Sequence, residues 1–273
     1  MKVGFQGETG AFSEAAIRRL FSDAESVPCP TVSEVFASVE AGRIDFGVVP
    51  LENSYAGSIN ETYDLLMSHQ VQIVAETILR VSHCLLAVPD VRAADVRTVY
   101  SHAQALEQCS RFLSSIGARR IALDDTAGAA RFVAEERPSD SAAIASREAA
   151  EIYGLSIIAA DIEDSPDNST KFVVITTGSP NAFGTADKTS IVFATADVAG
   201  ALHKCLGEFA DRRINLSKLE SRPSRTEAWQ YHFYLDFDAP LSGAAAADAV
   251  EALRTHTTFV KVLGSYPRAV GPV

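Results

Sequence analysis

The rhythm in which short apolar strands and amphipathic helices alternate limits what this chain can fold into, and that rhythm changes at a single point. Up to about Thr177 strand and helix follow in turn. Val3–Gln6 reads as a strand, Phe12–Phe21 and Ser33–Ala41 as helices and Phe46–Pro50 as a strand. Thr31 with Glu34 three residues later has the form of a capping box, and Gly42 supplies the stop. Ser58–Met67 (helix) and Gln72–Ile78 (strand) repeat the pattern. Thr98–Tyr100, Ala105–Ile116, Ile121–Leu123, Ala127–Glu135, Ala142–Ala145, Arg147–Tyr153 and Ser156–Ala160 continue it. Such alternation predicts an α/β fold whose parallel or mixed sheet is covered on both faces.

The rhythm breaks across Gly178-Ser179-Pro180-Asn181-Ala182-Phe183-Gly184-Thr185, a composition typical of linkers. Beyond it come a strand (Thr189–Ala194), a helix (Ala199–Arg212), two strands (Asn215–Leu219 and Trp229–Phe237), a helix (Ala244–His256) and a last strand (Phe259–Tyr266). That order is βαββαβ, the ferredoxin-like unit. The expected organisation is a larger domain over residues 1–178, a linker over 179–187 and a smaller domain over 188–268.

Charge narrows the partners. With 24 Lys+Arg against 35 Asp+Glu the formal net charge is −11, which argues against nucleic acid and against an anionic membrane surface. An anionic small molecule stays compatible, because local dipoles can outvote a distant negative surface. Cys29, Cys84, Cys109 and Cys205 form no CxxC pair or metal-ligand spacing, so they read as reduced core thiols of a cytosolic protein. The N-terminus reads as a first strand rather than a signal peptide, and no apolar run is long enough to span a bilayer. A cytoplasmic protein is expected.

Familiar cofactor motifs are missing. Gly4, Gly7 and Gly10 are spaced G-x-x-G-x-x-G rather than as a dinucleotide fingerprint. There is no Walker GK[ST], no G-x-S-x-G and no H-E-x-x-H, and the six histidines are scattered along the chain. No cofactor and no metal are expected.

The strand ends are more informative. Gly7-Glu8-Thr9-Gly10, Glu52-Asn53-Ser54-Tyr55-Ala56-Gly57, Ser101-His102 and Asp124-Asp125-Thr126-Ala127 each lead from a strand toward a helix. In open α/β sheets ligands collect outside the carboxyl ends of the strands. Each following helix start offers unsatisfied N–H groups and a partial positive charge. Several such starts facing one cleft would hold carboxylates without many Lys or Arg, although each alone equally suits plain helix capping. Asp167-Asn168-Ser169-Thr170-Lys171 runs straight into the apolar strand Phe172–Ile175 and sets a hydroxyl beside an ammonium, which suits an anion site or a solvated surface turn.

These residues resemble those of prephenate dehydratase. The resemblance lies in Gly7–Glu14, in Val48–Ser54 with Gly57, in Tyr100–Cys109, in Asp125–Ala127, in Ala142–Ser146 and in Ser169-Thr170-Lys171-Phe172. It continues in Gly200-Ala201-Leu202 and Glu220-Ser221-Arg222-Pro223, so it covers essentially the whole chain in order. It implies a catalytic domain of two α/β lobes around a cleft, similar to type II periplasmic binding proteins, followed by an ACT domain. It also implies cofactor-free loss of water and carbon dioxide from prephenate, a dianion, to give phenylpyruvate in phenylalanine biosynthesis.

Carried over by position, the resemblance makes Thr170 the donor to the departing hydroxyl and gives catalytic roles to Asn53, Ser101 and Gln108. Ser54, Thr126, Ala127 and Lys171 would bind substrate, with the backbone N–H groups of Thr126 and Ala127 serving one carboxylate. Lys171 stands where the family has Arg and lacks the planar two-pronged grip. Ala103 replaces the family's Pro. Gly200, Ala201, Leu202, Glu220, Ser221, Arg222 and Pro223 would bind phenylalanine as an allosteric effector at an interface between copies, implying a homodimer or homotetramer. An arogenate dehydratase and a non-catalytic amino-acid sensor are the competing readings.

Overall fold

The computed structural model describes residues 1–178, 183–224, 230–269 and 271. Residues 179–182 of the expected linker, and Trp229 at the start of an expected strand, lie outside the described residues. The chain folds as two compact units. The first is built from Met1–Thr62 and Thr77–Phe172, the second from Tyr63–Glu76 and Val173–Ala269.

The chain opens with β1 (Lys2–Gln6), α1 (Phe12–Leu20), β2 (Glu25–Cys29), α2 (Val32–Glu40), β3 (Phe46–Asn53) and β4 (Gly57–Ser58), which form the first lobe. It continues through α3 (Asn60–Ser68) and β5 (Gln72–Arg80), most of which belong to the second unit. β1 runs parallel to both β2 and β3, which leaves Val3 and Phe5 fully buried. α2 begins where the Thr31 hydroxyl accepts the Glu34 N–H at 3.1 Å. The Glu34 carboxylate turns instead to Arg43 and Ser38.

The second lobe carries β6 (Cys84–Ala87), β7 (Thr98–His102), α4 (Ala103–Gln108), α5 (Ser110–Ile116), β8 (Arg119–Leu123), α6 (Thr126–Glu136), β9 (Ser141–Ala145), α7 (Arg147–Tyr153) and β10 (Ser156–Ala159). Its sheet order is β10-β6-β9-β7-β8. β9 is buried throughout, so Ala142 and Ile144 pack into one core while Ala143 and Ala145 pack into another on the opposite face. The chain then returns as β11 (Ser169–Thr176), completing the first sheet in the order β2-β1-β3-β11-β5 with β4 beside β3.

The helix expected over Ala105–Ile116 is broken at Cys109 (φ −111°, ψ 23°). Asp164 causes the break. Its N–H donates to the Gln108 carbonyl at 2.6 Å, and its carboxylate accepts from the Ser110 hydroxyl at 2.8 Å and the Arg111 N–H at 3.1 Å. A remote side chain thus caps α5 and separates it from α4. The two crossings between lobes also hold each other. Val81 N–H donates to the Asn168 carbonyl at 2.8 Å, Ile162 N–H to the His83 carbonyl at 3.1 Å, and His83 N–H to the Glu163 carboxylate at 2.9 Å. The four cysteines are buried, and burial pushes each thiol pKa upward. Among the described residues no helix is long and apolar enough to cross a membrane.

In the second unit β12 (Lys188–Ala194), α8 (Ala201–Ala210), β13 (Leu216–Pro223), β14 (Tyr231–Phe237), α9 (Ala244–Arg254) and β15 (Phe259–Tyr266) realise the expected βαββαβ order. The sheet is ordered β13-β14-β12-β15, and Phe193, Phe209, Leu235, Phe237 and Leu253 are fully buried in its core. Lys188 is buried between Glu76 and Asp236, with both ion pairs at 2.9 Å. The Ser190 hydroxyl donates to Asp236 at 2.6 Å. Burial works to lower the Lys188 pKa, but Asp236 and Glu76 outweigh it and hold the ammonium above its ordinary range. A raised folded-state pKa means that this stabilisation is complete at neutral pH and is lost only as pH climbs through the alkaline lysine range.

Two stability predictions follow from this unit. Lys188→Met strands two buried carboxylates and lowers stability by about 3–5 kcal/mol, read as a fall in the denaturant midpoint. Gly264→Ala sets a methyl onto the Ile73 carbonyl oxygen and costs ~1–3 kcal/mol by the same measurement.

Candidate active site

The C-terminal ends of β1, β3, β7 and β8 and the entrance of β11 converge on a cavity of ≈ 430 Å³ within the first unit. Helix starts surround it. Phe12 and Ser13 come from α1, Thr31 and Val32 from α2, Gln104 and Ala105 from α4, and Thr126 from α6. The leading N–H groups of a helix have no intrahelical partner and carry a partial positive charge. Among the described residues that line the cavity there is no Lys or Arg, whereas Glu61, Asp124 and Asp125 bring carboxylates. Asp125 caps α6 by accepting the Gly128 N–H at 2.7 Å.

The loop after β1 reaches the second lobe through two glycines with positive φ, Gly7 (108°) and Gly10 (94°). A side chain at Gly10 would crowd the Ala149 backbone in α7. Its carbonyl accepts the Ser146 hydroxyl at 2.7 Å, while Tyr153 donates to the Thr9 carbonyl at 2.9 Å.

On the cavity wall, Asn53 organises the polar groups. Its Oδ1 accepts the N–H groups of Tyr55 (3.0 Å) and Ala56 (2.9 Å). Backbone N–H groups can only donate, so this end of the amide is the oxygen. Its Nδ2 therefore faces Asn168 Oδ1 (2.8 Å), the Ser169 carbonyl (3.2 Å) and Thr170 Oγ1 (3.0 Å). An amide nitrogen cannot accept, so Thr170 is the acceptor in that contact and its own proton is left to donate elsewhere. Gln108 Nε2 donates to Asn53 Oδ1 at 3.3 Å. Thr170 is 9% exposed and Asn53 4% exposed, a setting where such bonds are stronger than in water.

The cavity thus unites Asn53, Gln108, Thr126 and Thr170. It does not unite the others. Ser101 is completely buried and donates to the Ile144 carbonyl at 2.6 Å. Ser54 donates to the Asp167 carbonyl at 3.0 Å and accepts the Ser169 N–H at 2.9 Å, which ties the loop after β3 to the start of β11. Ala127 is expected to act through its backbone N–H, which lies in the first turn of α6 beside Thr126, and its side chain is buried. Lys171 lies between Thr170 and Phe172 on a strand, so it points to the opposite face from these cavity residues, and it meets Glu52 at 3.4 Å. Lys171, expected to bind substrate, is thus not among the described residues that line the cavity. His83 and Asn168 belong to the polar assembly without having been singled out as site residues. Asn168 stood inside the polar run before Phe172, whereas no motif marked His83.

In the second unit, Gly200 (φ 80°) starts α8, and with Ala201 and Leu202 it lines a separate cavity of ≈ 470 Å³ beside Tyr231 and Phe233. Ser221 pairs with Phe233 and Pro223 with Tyr231 across β13 and β14, so both lie beside that cavity's wall. Glu220 and Arg222 take the other face. Arg222 pairs with Asp64 at 3.1 Å and lies over the Tyr63 and Tyr234 rings, while Glu220 pairs with Lys218 at 3.2 Å. Among the described residues Gly200, Ala201 and Leu202 line this cavity, whereas Glu220 and Arg222 do not.

The chain is similar to known proteins over nearly its whole length. The sequence profile of the family described as prephenate dehydratase matches residues 3–180. An Arabidopsis thaliana protein named arogenate dehydratase/prephenate dehydratase 2 is 45% identical over 98% of this chain and 73% of its own length. A Neisseria gonorrhoeae bifunctional chorismate mutase/prephenate dehydratase is 40% identical over 99% of this chain and 75% of its own length. The prephenate dehydratase of Arthrobacter aurescens, solved in complex with L-Phe, superposes with a TM-score of 0.90 at 32% identity, covering 98% of this chain and 90% of that one. On its profile match and its close relatives, the chain belongs to the prephenate dehydratase family.

Proposed function

We propose that this chain converts prephenate to phenylpyruvate, with the Thr170 hydroxyl donating to the oxygen that leaves C4. The C4–O bond breaks as the C1–carboxylate bond releases carbon dioxide, and that bond's electron pair restores the aromatic ring. One proton is consumed and water departs, so the dianion becomes a monoanion. The observation that supports this reading is the Asn53 Nδ2 donation to Thr170 Oγ1 at 3.0 Å, which leaves the threonine proton free to donate. A Thr hydroxyl is a weak acid, so preorganised geometry rather than pKa must supply its effect. Asn53 and Gln108 steady that geometry, and the N–H groups at the start of α6, with the neighbouring helix starts, hold the carboxylates.

A second reading has its own support. Arogenate replaces the keto group of prephenate with an ammonium, and a cavity wall bearing Glu61, Asp124 and Asp125 with no Lys or Arg among its described residues suits such a group. Turnover on the two substrates decides between them, and a large preference for arogenate would displace prephenate. A sensor without catalysis would yield no phenylpyruvate above the spontaneous rate.

Residues 1–178 form the catalytic domain in this reading, and residues 188–268 an ACT domain that binds phenylalanine. The phenylalanine complex of the Arthrobacter aurescens relative supports that effector. In this reading phenylalanine binds between paired copies, as a homodimer or homotetramer, and the register that sets Ser221 beside Phe233 and Pro223 beside Tyr231 supports it. Phenylalanine must then favour a less active state, typically with ~1–3 kcal/mol of coupling.

Two activity measurements test these assignments. Thr170→Ala lowers kcat roughly 10²–10³-fold with KM little changed, followed by phenylpyruvate absorbance in alkali. An unaltered kcat would remove Thr170 from the chemistry. Ala201→Phe fills the second cavity and abolishes inhibition by phenylalanine while turnover without effector persists. Inhibition retained in that variant would move the effector site elsewhere.

A further inference from the structure

His83 lies on the crossing between lobes, is 2% exposed and lines the ≈ 430 Å³ cavity. Its ring meets Phe12 edge-on at 5.7 Å, and its Nε2 lies 3.0 Å from Gln108 Oε1. The direction of that contact is settled from the far end. Tyr55 and Ala56 fix Asn53 Oδ1 as an acceptor, so the Gln108 atom facing it is the nitrogen. The other end of the Gln108 amide is then the oxygen, and His83 Nε2 must carry the proton donated to it. His83 Nδ1 is left bare, buried and without a hydrogen-bond partner among the described residues.

We propose that His83 is the positioning residue of this site: its Nε2–H holds Gln108 Oε1 so that the Gln108 amide nitrogen stays turned to Asn53 and serves the cavity as a donor. Without that bond Gln108 can turn over, and an oxygen would then confront Asn53 Oδ1, repelling the side chain that orients Thr170. An imidazole suits the position because one nitrogen donates while the other is left uncharged beside Phe12. Burial acts in the same direction by lowering the His83 pKa, outweighing Gln108 and Glu163, which raise it. The inference rests on the reading of Thr170 as the donor to the leaving group.

The test uses the full chain. His83→Phe keeps a ring against Phe12 and removes the donor, whereas His83→Gln carries an N–H to the place of Nε2. The expected result is a kcat at least tenfold lower for His83→Phe, KM within twofold of the parent, and a kcat within about threefold of the parent for His83→Gln. Independently of activity, ¹⁵N spectra of histidine-labelled protein should show His83 as the neutral Nε2–H tautomer at pH 7. Full activity in His83→Phe, no rescue by His83→Gln, or an Nδ1–H tautomer or imidazolium in the spectrum would overturn the proposal. Full activity in Thr170→Ala would instead overturn the reading of Thr170, whereas an inactive Thr170→Ala beside a fully active His83→Phe would remove only His83.

Discussion

Two backbone amides, those of Tyr55 and Ala56, decide which way the polar groups of the cavity wall point. They make one end of Asn53 an acceptor, and every later donor and acceptor is settled by that choice. Thr170, Gln108 and His83 come from segments far apart in the chain, yet none can reverse its role without placing two donors or two acceptors against each other. In a buried setting such a mismatch costs the full desolvation of a polar group. Preorganisation here is therefore a consequence of the turn that follows β3.

The same economy governs charge. A chain with a net charge of −11 surrounds its cavity with helix starts, and the described lining contains no Lys or Arg. Peptide dipoles supply attraction without ammonium or guanidinium groups that would need their own partners. Thr31, His102 and Asp125 satisfy one N–H each at three of these starts. The groups ahead of them stay directed outward.

Much of this was legible in residue order. The alternation up to Thr177 and the βαββαβ order beyond it depend on hydrophobic periodicity, a local property. Glu25–Cys29 was harder to see because β2 lies at the edge of its sheet, half exposed, and tolerates Pro28 there. The break at Cys109 depends on Asp164, which no local window contains. Among the site residues, Thr170, Asn53 and Gln108 stood in recognisable runs. Ser101 stood in one too, but its hydroxyl serves the neighbouring strand. Lys171 faces away from Thr170 and Phe172 because β11 begins at Ser169, earlier than the apolar run Phe172–Ile175 indicated. His83 was invisible because its place is defined by Gln108 and Phe12, which the fold alone brings to it.

The paired crossings between the lobes have a mechanical consequence. Val81 and Asn168 are joined like neighbouring rungs, and Thr170 and His83 each lie two residues from that rung. A rotation of one lobe against the other displaces atoms in proportion to their distance from its axis. If the axis passes through these crossings, the threonine and its amide partners scarcely move. Entry of a bulky diacid and constancy of the reacting geometry are then compatible within one set of covalent tethers.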